Sequence, residues 1–87
     1  MDIKLKQSNT EHFVKDFGLA SALITQDIKL LRLEKDPSGF FWFVFPAGKS
    51  NELADAYWSD ELLVPARKYS IASKSLKNQL FSQKVFG

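Results

Sequence analysis

The strongest constraint in this chain is a run of aromatic residues that follows a turn. Phe40-Phe41-Trp42-Phe43-Val44-Phe45 places five rings in six consecutive positions, and Pro46 closes it. Aromatic and β-branched side chains favour the pleated, half-buried surface of a strand. Directly ahead, Asp36-Pro37-Ser38-Gly39 puts Asp, Pro and Gly at the first, second and fourth positions of a type I turn. Ile28–Lys35, reading IKLLRLEK, supplies the partner strand, so the sequence predicts an antiparallel hairpin of 28–35 with 40–46. Side chains alternate along a strand, which sends Phe41, Phe43 and Phe45 to one face and Phe40, Trp42 and Val44 to the other. A strand apolar on both faces is normally covered on both, and two or three helices would do that. The alternative leaves Phe40 and Trp42 exposed as a platform on which bases stack, at about 1–3 kcal/mol per base.

The rest of the sequence supplies the helices. Asp16 suits an N-cap, opening a helix over about 16–26 with Phe17, Ala20, Leu23 and Ile24 on one face. Gly18 weakens its first turn. Glu11–Lys15 suits a brief extra strand leading into it. After the hairpin, Ser50 is placed to cap a helix over about 50–59, with Leu53, Ala54, Tyr57 and Trp58 facing the sheet. Pro65 is suited to open a last helix over about 66–83. The expectation is an α+β fold, a small antiparallel sheet with three helices. Residues 1–10 form a flexible N-terminal segment and 11–87 a single compact domain, since 87 residues hold one core.

Charge is unevenly placed. Up to Glu61, the last acid, 7 basic and 10 acidic side chains give −3; beyond it Arg67, Lys68, Lys74, Lys77 and Lys84 give +5 with no acid. The pI near 9.0 is thus made by the C-terminal quarter. On the last helix, Tyr69, Ala72, Ser73, Leu76, Leu80 and Gln83 fall within about 100° of arc and form the packing stripe. Arg67, Lys74 and Asn78 lie opposite, with Ser70 and Lys77 beside them. Lys and Arg offer charge and Asn and Ser short neutral donors, a combination suited to phosphate. A solvated helix face carrying Lys near its C-terminus is the plainer alternative.

Other chemistry is sparse. With no Cys there is no disulfide, thiolate metal site or cysteine nucleophile. The only His, His12, reads as an ordinary strand or surface residue. Asp60 and Glu61 are adjacent and diverge, the serines lack a nucleophile-elbow context, and the glycines are isolated. No catalytic residue, metal ligand or cofactor is expected, and the chain is not expected to be an enzyme. No apolar run approaches a membrane span and no secretory h-region is present, so the expected location is cytoplasmic, without membrane contact. Two partner classes follow. The first is DNA or RNA, bound through Arg67, Lys74, Lys77 and Asn78 with Phe40 and Trp42 as stacking residues. The second is a protein partner or a second copy, through sheet edges and the interface-prone Tyr57, Trp58 and Phe81.

A set of motifs runs in a recognisable order: Asp16-Phe17-Gly18-Leu19-Ala20-Ser21, Lys29-Leu30-Leu31-Arg32-Leu33-Glu34, Trp42-Phe43-Val44-Phe45, Tyr57-Trp58 before Glu61-Leu62-Leu63-Val64, and Lys74-Ser75-Leu76-Lys77-Asn78-Gln79-Leu80-Phe81. Over about residues 11–83 the chain resembles a family of short bacterial and phage proteins of unknown function. The resemblance implies an α+β unit of helix, hairpin and two helices, and no activity. Ser59-Asp60 departs from it, standing where a Gly-containing turn is expected.

Overall fold

The structure is a computed structural model and describes residues 10–86. The flexible segment expected over 1–10 lies outside these residues apart from Thr10. In chain order the elements are β1 (Glu11–Val14), α1 (Phe17–Thr25), β2 (Arg32–Lys35), β3 (Phe41–Pro46), α2 (Lys49–Trp58) and α3 (Ala66–Phe86). The three strands form one antiparallel sheet in the order β1-β3-β2, so the aromatic strand is central. The α+β architecture read from the sequence is the one observed, including the extra strand.

The hairpin turn forms as its residues dictate. Gly39 N–H donates to the Asp36 carbonyl at 2.9 Å, and Gly39 takes φ 96°, which costs a residue without Cβ little. β2 is shorter than the expected 28–35. Asp27 leaves α1 at φ 64° and Ile28 N–H returns to the Leu23 carbonyl at 3.1 Å, so the backbone at Ile28 closes the helix, and contact with β3 begins only at Leu31, whose N–H donates to the Val44 carbonyl at 2.7 Å.

Directly paired residues share a face. Val14, Leu33 and Phe43 are in register, as are His12 and Phe45, and this is the face that the helices cover. Leu19, Ala20 and Leu23 of α1, Ala54 of α2 and Leu76 of α3 close one core with Val14, Phe43 and Phe45. All three helices therefore share one side, against the expectation that they divide between both. The other face carries Glu11, Phe13, Arg32, Glu34, Trp42 and Val44. Val44 is still fully buried there, between Phe13 and Arg32 in register.

Helix α1 is sandwiched between the sheet and α3. Leu19, Ala20, Ser21, Ala22, Leu23 and Thr25 are all buried, more than the one face expected. Asp16 caps it as anticipated, accepting from Leu19 N–H at 2.8 Å. The two buried hydroxyls are satisfied, Thr25 by the Ala22 carbonyl at 2.6 Å and Ser21 by Ser73 of α3 at 3.1 Å. Gly18 has a packing role: a Cβ there would lie 2.5 Å from the Tyr57 hydroxyl.

Two boundary expectations and one facing expectation need correction. Helix α2 starts at Lys49 rather than Ser50, because Gly48 at φ 102° turns the chain and its N–H is taken by Asn51 Oδ1 at 2.8 Å. Ser50 is consequently not the cap. Within α2, Ala54 is buried and Leu53 and Tyr57 are half-buried, but Trp58 is 64% exposed and does not face the sheet. Helix α3 runs to Phe86, past the expected end at 83, and Pro65 stands one residue ahead of it with its carbonyl accepting from Tyr69 N–H at 3.0 Å. Of the expected packing stripe only Gln83 is exposed.

Candidate nucleic-acid interface

The outward face of α3 is where charge and geometry meet. Ala72 and Leu76 are buried, and Tyr69, Ser73 and Leu80 half-buried, which fixes the helix's rotation. Arg67, Lys74, Lys77 and Asn78 are then all exposed. From Arg67 to Lys77 the ridge covers about 15 Å, ten residues at 1.5 Å each. Among the described residues the ion pairs belong to Arg32, and none involves this helix. The ridge is not purely polar: Ile71 and Phe81 are also exposed on it. Lys68 lies toward the packed side, at a cleft of about 310 Å³ with Ile24, Thr25 and Asp27 from the end of α1.

Phe40 and Trp42 fare differently. Phe40 is 60% exposed, as a stacking residue requires. Trp42 is half-buried, and its indole N–H donates to Asp36 Oδ2 at 3.0 Å. The other Asp36 oxygen accepts from Ser38 Oγ at 2.6 Å, Ser38 N–H at 3.0 Å and Phe40 N–H at 3.1 Å. These bonds, that to Ser38 foremost, hold the Asp36 carboxyl down at about 2. Asp36 thus does more than shape a turn: it fixes the orientation of Trp42 and the backbone of Phe40.

Lys15 is the residue that sequence reasoning missed. It follows Val14, which pairs with Phe43, so register carries it toward Trp42. Its ammonium lies 4.4 Å from the centroid of Phe40 and 5.1 Å from that of Trp42. Where β1 ends, a cleft of about 300 Å³ opens, lined by Lys15, Phe17, Gly39, Phe40, Phe41, Phe43 and Leu80. Leu80 belongs to α3 and comes three residues after Lys77, about 60° round the helix. The structure therefore brings Phe40 beside the C-terminal half of the basic helix, whereas Trp42 belongs to the outer sheet face and Arg67 to the helix's far end.

Two polar clusters lie elsewhere. On the outer face Arg32 reaches across the central strand: its two terminal nitrogens donate to Glu11 at 2.8 and 2.9 Å and its Nε to Glu34 at 2.7 Å. The bonds to Glu11, then Glu34, raise the guanidinium's pKa, and the Arg32 bond lowers that of Glu11. The second cluster is inside. Ser50 is fully buried, its hydroxyl donates to the Pro46 carbonyl at 2.6 Å, and His12 Nδ1 lies 3.0 Å from the same oxygen. A hydroxyl has one proton, so Nδ1–H of His12 is the donor to Ser50. Burial lowers the imidazole's pKa, opposed by Asp55. A serine whose proton is committed to a carbonyl is not activated by its histidine, and the pair works as a joint between β1, β3 and α2. Among the described residues no three His, Asp or Glu side chains converge on a common point, and no described helix is long and apolar enough to cross a membrane. In comparisons with known proteins the chain matches no family model, no curated protein and no solved structure.

Proposed function

We propose that the chain is a non-catalytic, cytoplasmic nucleic-acid-binding domain of a bacterial or phage protein, contacting DNA or RNA phosphates through α3. The observation that carries this is the ridge itself. Arg67, Lys74, Lys77 and Asn78 stand exposed on one rigid helix with no described carboxylate paired to them. A helix anchored by Leu76 and Ser73 holds these groups in a fixed row, so little ordering entropy opposes phosphate contact.

Three cations meeting duplex phosphates give a salt slope of about −3 in log K against log salt, at about −0.9 per contact. Fluorescence anisotropy with labelled oligonucleotides at several salt concentrations measures it. Lys74→Glu with Lys77→Glu is expected to abolish binding at moderate salt. Absence of binding by the unmodified chain at low salt would defeat the proposal, as would indifference to the double reversal. A protein partner is the second reading, favoured by one corner of the surface: Leu63 is 88% exposed and Trp58 64%, both in or beside the link between α2 and α3. Light scattering over a concentration series checks the self-association version, and a constant monomer mass counts against it.

A further inference from the structure

We infer that the cleft between the hairpin turn and α3 accepts one unpaired nucleotide, making the preferred ligand single-stranded, a role that rests on the nucleic-acid binding proposed above. The walls are suited to a flat, apolar ring. Phe17, Phe40, Phe41, Leu80 and the buried Phe43 line the cleft, while its volume of about 300 Å³ is at the small end of ligand sites. In a duplex the base faces are stacked on one another and cannot enter, whereas a single strand can splay a base onto aromatic side chains.

The charges match the rest of a nucleotide. Among the described residues, the cleft's one charged wall residue is Lys15, and no described carboxylate lines it. Lys77 precedes Leu80 by three residues, so a strand following the α3 ridge passes the mouth of the cleft. Lys15 rests on the rings of Phe40 and Trp42 at 4.4 and 5.1 Å. An exposed cation–π contact is weak beside a charge-assisted bond to phosphate. An arriving nucleotide thus draws the ammonium off Phe40 onto its phosphate and uncovers the ring for its base. Gly39 leaves the rim open: a Cβ there would meet no atom within 4 Å.

The test compares three labelled ligands by anisotropy: a short oligothymidylate, an abasic oligomer of equal length and charge, and a duplex. The oligothymidylate is expected to bind about 5- to 150-fold tighter than the abasic strand, the span of one stacked base. Phe40→Ala is expected to bring that ratio near one while leaving abasic affinity unchanged, and Phe40→Trp to retain it. Phe40 is 60% exposed, so the fold survives both changes, which circular dichroism verifies. Equal affinity for thymidylate and abasic strands overturns base insertion and leaves the cleft to a different occupant, such as an apolar side chain of a protein. A ratio unmoved by Phe40→Ala overturns it too. In either case duplex binding by the ridge still stands; failure of all three ligands to bind overturns both proposals together.

Discussion

Replacing Ser50 separates two accounts of the start of α2. The sequence casts Ser50 as a helix cap, whereas the structure makes it a buried link between the Pro46 carbonyl at 2.6 Å and His12 Nδ1 at 3.0 Å. Ser50→Ala strands one acceptor and one donor. Each unsatisfied buried group costs about 1–3 kcal/mol, and the half-buried Pro46 recovers part of this through water. A net loss of about 2 kcal/mol is expected, which lowers Tm by roughly 8–16 °C in a domain this size. Thermal and urea unfolding followed by circular dichroism at neutral pH measure it. The decisive companion is Ser50→Asp. A capping position accepts Asp as readily as Ser. At a fully buried site the carboxylate instead faces the Pro46 carbonyl with no proton between them, so Ser50→Asp falls below Ser50→Ala. Wild-type stability in Ser50→Asp, or a loss under about 0.5 kcal/mol in Ser50→Ala, would refute the buried-joint account.

Burial holds the His12 pKa below 6.5, so as the pH drops below that value the unfolded chain takes up a proton the folded chain resists. Stability should therefore be complete above that pH and decline below it, and His12→Asn, which keeps a donor toward Ser50, should flatten this part of an unfolding-versus-pH curve. Gly18→Ala gains up to about 1 kcal/mol in helix propensity but drives a Cβ to 2.5 Å from the Tyr57 hydroxyl, which itself donates to Asp16 Oδ2 at 3.3 Å. A double-mutant cycle is expected to show near-neutrality for Gly18→Ala alone and a gain of about 0.5–1 kcal/mol in a Tyr57→Phe background. Asp60→Gly should stabilise by up to about 1 kcal/mol in urea unfolding, because Asp60 adopts φ 62° without needing its side chain there.

The parts of the fold legible in the sequence are those set by local chemistry. Asp36-Pro37-Ser38-Gly39 encodes its turn, Asp16 its cap, and the alternation through Phe45 its strand. Asp60 shows how a motif can be read and still surprise: where a Gly-containing turn was expected, an Asp takes the left-handed conformation and the helix ends at Trp58 all the same. What escaped were consequences of distant pairing. Nothing local to Lys15 says that it will lie over Phe40, because that follows from the register of Val14 against Phe43. His12 appeared ordinary until β1 was placed on β3 and its ring met Ser50, 38 residues away. The expectation of helices on both sheet faces failed for a related reason. Periodicity shows that a strand is apolar on two sides, but Arg32 flanking Val44 and bonding Glu11 is a tertiary arrangement. Of the candidate site, the α3 ridge was visible as spacing alone, whereas the cleft needed three separate segments to converge.

The two sides of α3 divide stability from recognition. Leu76 is fully buried in the shared core and Ser73 satisfies the buried hydroxyl of Ser21, so one side of this helix is committed to holding α1 against the sheet. Arg67, Lys74 and Lys77 lie on the other and touch neither group. Substitutions on separate faces with no common partner act nearly additively. Charge reversal on the ridge should therefore read out in binding with Tm almost unmoved, whereas Leu76→Ala should cost about 2–5 kcal/mol and unfold much of the population. Leu80 is the exception, since it packs on the core and also walls the cleft beside Phe40. On α3 it is the residue through which ligand entry and helix packing must influence each other, and a loss of binding there cannot be separated from a loss of fold without Phe40→Ala as its control.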